Sequence, residues 1–198
     1  RTALCTRAEA TANAVAMLQQ TYDPSESASV ADNVSQAQSL LAFVDERLQQ
    51  VDADLAASRP SAALPLRLAE QSLAQAQTLL QAVDALAADL QRASADLPAA
   101  VTDLDADLAA AEAIPQAERS PQLAGAIAAA QSARAQVSER RPRASLDAVA
   151  TADAALEAGI EAVQQRSNHL TKVRAQLSAQ LTATQASDQF SASLTLTA

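Results

Sequence analysis

Glycine, aromatic residues, cysteine, histidine and lysine are nearly missing from this 198-residue chain. With two glycines, one tyrosine, two phenylalanines and no tryptophan, it has little material for left-handed turns or for large aromatic wedges. One cysteine, Cys5, excludes an internal disulfide and leaves the redox compartment unreadable. Together with the single histidine, His169, it leaves hydrolytic and zinc chemistry without their usual convergent ligands. Apolar runs are short: none approaches the ~18 residues of a membrane span, and no stretch has the pattern of a signal peptide. The chain begins at Arg1 inside an apparent helix, as expected of a piece cut from a longer protein.

Basic residues are also scarce, 14 against 23 acidic, for a formal charge of −9 and a pI near 4.5. A general phosphate-backbone binder needs clustered Lys and Arg, so nucleic acid is not an expected partner. All the basic residues are arginines except Lys172, which, with the alanine bias, fits a GC-rich bacterial genome. About a quarter of the chain is alanine, and hydrophobic residues reach 49%. Such a composition favours long, thin helices that approach closely while burying little area per contact.

Heptad spacing organises the chain. Val30, Val34, Ala37, Leu41, Val44, Leu48, Val51 and Leu55 recur in steps of four and three, the mark of a coiled-coil seam. Asp23 and Pro24 start this helix, expected over 24–58, with Glu26 as the capping-box acid. Residues 2–21 form an earlier helix that turns back at Tyr22. A third seam runs from Leu66 through Leu80, Leu90 and Leu97 to Ala111 in one register across Pro98, predicting one bent helix over 62–114 rather than two. Ser120 and Pro121 open a helix expected to reach Arg141, and Pro142 opens a last one ending near 186. Residues 187–198, SDQFSASLTLTA, alternate polar and apolar, as a short strand or a frayed end would.

An internal copy supports this division. Aligned from Ser27 and Ser120, two 21-residue segments 93 positions apart share nine identities. In the second, AQSARAQVSERRPR replaces AQSLLAFVDERLQQ, so Arg134 and Arg141 stand where Leu41 and Leu48 stood. The pattern predicts an all-α, elongated pair of tandem three-helix bundles of spectrin type, sharing the long bent central helix. Residues 1–97 would form the first bundle and 98–186 the second. At their junction Arg140, Arg141 and Arg143 should meet Asp23, Glu26 and Asp96. The two helical glycines, Gly125 and Gly159, are expected to permit close helix approach. Beyond the reach of helix 121–141, Leu170, Val173, Leu177 and Leu181 lack a partner in this chain, which implies helix packing with a protein partner or self-association.

The segments YDPSESASVADNVSQAQSLLAFVDERLQQVDADLAA (22–57) and AEQSLAQAQTLLQAVDALAADLQRASADLPAAVTDLDADLAAA (69–111) resemble the long helical region of actinobacterial membrane proteins that carry an N-terminal TPM domain. The YDPS turn and the LLAFVDERL and LLQAVDALAADL runs carry most of the likeness. The TPM domain, its metal-binding acids and the membrane helix have no counterpart here, so no functional residue transfers. The resemblance implies a soluble helical extension on the cytoplasmic side of a membrane-tethered protein, touching the membrane only through parts outside this chain.

No catalytic, cofactor-binding or metal-binding residue is assigned, and no cofactor is expected. His169 reads as a solvent-facing residue, Cys5 has no base near it, and the pairs Asp103/Asp107 and Asp52/Asp54 read as solvated helix faces rather than cation sites. The RRPRAS stretch offers Ser145 to a basophilic kinase, although such short motifs arise readily by chance. A non-catalytic helical spacer or interaction rod is the leading expectation; the alternative is a helical bundle with a ligand or enzymatic site between its helices.

Overall fold

The computed structural model describes residues 2–57 and 63–195, with side chains as far as Gln185. All regular structure among the described residues is helical: α1 (Thr2–Thr21), α2 (Pro24–Ser27), a 3-10 turn (Ala28–Val30), α3 (Asn33–Ala56), α4 (Ala63–Ala113), α5 (Pro121–Ala135) and α6 (Pro142–Thr195). The fold is all-α. It divides into two compact units, one built from residues up to Thr102 together with Ala135–Val149, the other from Asp103–Arg134 and residues from Ala150 onward. The division in α4 thus falls after Thr102 rather than after Leu97, and a segment expected with the second bundle belongs to the first unit.

In the first unit, Asp23 in extended conformation starts α2: its Oδ1 accepts from the Ser25 N–H at 3.0 Å, with Pro24 at the first helical position. The expected single helix over 24–58 is interrupted. Ser27 leaves the helical region at φ −107° and ψ 1°, the chain tightens into the 3-10 turn, and α3 restarts at Asn33. Residues 27–35 are rich in side chains that compete for backbone bonds. Ser35 Oγ donates to the Asp32 carbonyl at 2.9 Å, and Asn33 Nδ2 donates to the Leu79 carbonyl on α4 at 3.2 Å.

Two clusters fill this unit: Val15, Leu18, Tyr22, Val30, Val83, Leu86 and Leu90, then Ala8, Ala37, Leu41, Ala76 and Leu80. Arg7 Nη2 ties α1 to Asp84 of α4 at 2.6 Å. The start of α1, at Leu4 and Cys5, packs against the same cluster as Leu40 and Leu73. Toward the end of α3 the buried side departs from the expected seam: Asp54 is buried and Leu55 is 63% exposed, and at the start of α4 Leu66 is likewise exposed beside buried Pro65.

Helix α4 runs unbroken for 51 residues with Pro98 inside it, about 75 Å at 1.5 Å per residue. Proline has no N–H, so the Ser94 carbonyl loses its usual helical donor. Thr102 Oγ1 donates to the Pro98 carbonyl at 2.9 Å.

In the second unit, Arg119 ends α4 by donating Nε to the Ile114 carbonyl at 2.8 Å and Nη2 to the Glu112 carbonyl at 2.6 Å. Ser120 Oγ accepts the Leu123 N–H at 3.1 Å and starts α5. Leu104, Ala111, Leu123, Ile127, Ala130 and Leu156 are buried. Gly159 allows the close approach expected of it: a Cβ there would lie 2.9 Å from Leu123 Cδ1 and 3.3 Å from Leu123 Cα. Gly125 does not, since a Cβ there would meet nothing within 4 Å.

Two boundaries differ from expectation. Helix α5 stops at Ala135 instead of 141, so Val137 and Arg141 occupy a loop rather than a seam. Pro142 disfavours a helical conformation at Arg141, and the loop folds on itself through the Arg141 N–H donating to the Ser138 carbonyl at 2.9 Å. Helix α6 continues past 186 through the tail to Thr195, and residues 196–198 lie outside the described residues.

Candidate functional site

The predicted junction residues gather within the first unit, where the loop after α5 meets the turn after α1. The Asp23 N–H donates to the Arg140 carbonyl at 2.7 Å, and Arg140 Nη2 donates to the Tyr22 carbonyl at 3.4 Å. Tyr22 is buried, with its hydroxyl 3.2 Å from Ser94 Oγ on α4. Hydrogen bonds from Ser25, first its N–H and then its hydroxyl, hold the Asp23 carboxyl below its ordinary value, and the positive charges of Arg141 and Arg140 add to this.

Glu26 has a different role from the one its spacing suggests. In a capping box it would accept the Asp23 N–H, but Arg140 already takes that donor. The buried Glu26 carboxylate instead accepts the Ala144 N–H at 3.3 Å, in the first turn of α6. A carboxylate there satisfies an otherwise unbonded N–H and complements the positive end of the helix. The other two members, Arg143 and Asp96, line one shallow surface groove with Asp89, Arg92 and Asp147.

Ser145 is closed to a kinase. It is buried, its Oγ accepts the Ser138 N–H at 3.0 Å and lies 3.2 Å from the Ser138 carbonyl, so its hydroxyl holds the loop shut. Beside this loop lies a cleft of about 580 Å³ lined by Tyr22, Ser94, Leu97, Pro98, Val137 and Arg140 among others. With Thr21 and Glu139 also in its lining, the cleft sets three hydroxyls, a carboxylate and a guanidinium among apolar side chains.

A second cluster escaped the sequence reading. Asp107 on α4 and Asp153 and Glu157 on α6 bring carboxylate oxygens within 4.8 Å of one another. Burial pushes the Asp153 carboxyl up, followed by the negative charges of Asp107 and Glu157, a hydrogen-bonding contact with Asp107, and the charge of Asp103. Asp153 Oδ1 is buried without a hydrogen-bond partner. The three carboxylates are the side chains of this cluster that could hold a hard divalent cation. The available signal was Asp153 itself, an acid at a seam position between Val149 and Leu156. The pair Asp103/Asp107, expected on a solvated face, is not so at Asp107, which is half-buried and has its acidic partners on another helix.

Elsewhere in this unit, Arg134 is exposed and binds Asp105 through Nε at 2.8 and 3.1 Å, and His169 is exposed on α6. Cys5 is half-buried on α1 in the first unit. Among the described residues, no helix is long and apolar enough to cross a membrane.

Comparison with known proteins gives a partial match to mycobacterial proteins. The chain is 34% identical over 143 residues, 69% of its own length, to UPF0603 proteins of Mycobacterium tuberculosis strains H37Rv and CDC 1551. The aligned part is 22% of those proteins, so the chain spans about a fifth of the curated relatives it matches. No family model matches. No solved structure matches either.

Proposed function

We propose that this chain is a non-catalytic helical spacer and interaction segment of a bacterial membrane-anchored protein, built as tandem spectrin-type bundles and held on the cytoplasmic side. The observation that carries this reading is the division of its leucines and valines. Leu80, Leu90, Leu104, Leu123 and Leu156 are fully buried between helices, whereas Leu170, Leu177 and Leu181 are 57–61% exposed along one side of α6. A dry aliphatic seam provides mechanical continuity, and an uncovered continuation of it provides a place for a partner. The likeness to TPM-domain proteins and the match to much longer mycobacterial proteins support a role as one part of a larger chain.

A second reading, small-ligand binding, is favoured by the cleft of about 580 Å³ beside Tyr22 and Arg140. Two measurements separate the readings. Small-angle scattering of the isolated segment should give a maximum dimension of at least ~80 Å, the length of a 54-residue helix, and thermal-shift screening against metabolites and divalent cations should leave the melting temperature unmoved. A compact particle would overturn the spacer reading. A rise of several degrees with one metabolite, abolished in R140A, would establish the second.

A further inference from the structure

Among the described residues, no other helix covers α6 beyond Val163, and the turn between α4 and α5 borders it at Ala117 and Glu118, beside Arg166, Leu170 and Arg174. Every described side chain from Gln164 to Gln185 is exposed except half-buried Val173, and Leu170, Leu177 and Leu181 project at seven- and four-residue spacing. The same stretch is electrostatically unlike the rest of the chain. Residues 162–187 contain Arg166, Lys172 and Arg174 and no acid, leaving eleven basic residues against all 23 acids elsewhere. Two such stripes pairing with each other would bring like charges together along their length. The stripe calls for an apolar groove with acidic edges.

The first unit holds such a groove. Between α3 and α4 lies an open cleft of about 780 Å³ lined by Ser39, Leu40, Phe43, Gln75, Thr78 and Leu79 among others. On α4 it continues toward Leu68 and Leu64, which share a helical face with Gln75 and Leu79 and are 37% and 68% exposed. One turn from its α3 lining lie exposed Asp32 and Glu46. Arg47 stacks over Phe43, 4.8 Å from the ring centroid, and lies 3.4 Å from Glu46. Residues 32–47 still carry three acids against this one base.

Building on the spacer reading, we propose that the Arg166–Leu181 stretch of α6 docks as a helix into the α3–α4 groove of a second copy of this chain. Leu170, Leu177 and Leu181 enter beside Leu40, Phe43 and Leu79, and Arg166 and Arg174, which share their face of α6, meet the acidic α3 edge at Asp32 and Glu46. Both the ridge and the groove belong to one chain and differ from each other, so the contact is heterologous and association runs head to tail.

Sedimentation velocity on the 198-residue chain tests this. The weight-average mass should rise from the monomer between about 5 and 500 µM at low salt, with the association weakened roughly tenfold at 0.5 M salt. L170Q/L177Q/L181Q changes only exposed side chains and should stay monomeric, as should Q75W, which fills the groove. An equimolar mixture of the two variants should form a finite 1:1 complex, because each keeps the surface that the other lacks. A wild type that is monomeric throughout overturns the proposal, and so does a dimer indifferent to Q75W, which would mean stripe-to-stripe pairing. Binding of monomer to phosphatidylserine vesicles, lost in the leucine variant and unaccompanied by self-association, would assign the stripe to a lipid surface and also overturn it. The scattering dimension is measured separately, so the spacer reading stands or falls independently.

Discussion

Replacing Asp153 by asparagine tests how a helix seam tolerates a carboxyl facing Asp107 and Glu157. The folded-state value of Asp153 is raised above 3.8, so below that pH both folded and unfolded forms are protonated. As pH rises the unfolded chain releases the proton first, and stability falls until pH has passed the raised value. The difference between wild type and D153N should therefore grow from about pH 4 toward neutrality, with the variant the more stable at pH 7. Melting curves across that range check this; a constant difference would count against it. The glycines make a sharper pair. G125A places a methyl in open space and should stabilise by about 0.5–1 kcal/mol, while G159A drives a Cβ against the Leu123 backbone and should cost about 1–3 kcal/mol. Chemical denaturation of both variants would show opposite signs. E26A should cost about 1–2 kcal/mol by uncapping α6.

Helix starts were legible because the residues responsible are local. Asp23–Pro24, Ser120–Pro121 and Pro142 each announce an N-terminus through missing N–H groups and short acceptors, and each stands at a helix start in the structure. Helix ends were less legible because their causes are distant. Nothing in AQSARAQVSERR stops the heptad before 141; the loop exists because Arg140 binds the Tyr22–Asp23 turn and Ser145 holds Ser138. The cluster at Asp153 likewise depends on which helix faces it. Unbroken phase across Pro98 did report an unbroken helix, since a loop would have freed the register. P98A should restore a donor to the Ser94 carbonyl and raise stability by about 1–3 kcal/mol, measurable as a higher melting temperature.

For the molecule as a whole, the difference between covered and bare helix should appear as a gradient of protection. Hydrogen exchange at low concentration should be fast along residues 164–185 and slow along 76–97, because an unsupported helix is marginal while a packed one opens only with its unit. Equal protection along both would show that α6 is covered in the monomer. The bond between Glu26 and Ala144 joins residues 118 apart, and the first unit draws on Ala135–Val149 as well as on the chain before Thr102. On a ribosome, then, this unit cannot close until the segment inserted within it has been made. Any product that stops short leaves the buried Glu26 carboxylate and the Asp23 N–H without partners, and limited proteolysis should cut a 1–120 fragment near Tyr22 much faster than the full chain. The two halves of the lock are thus made 118 residues apart, and the first unit acquires its last packing segment only once residue 149 has been synthesised.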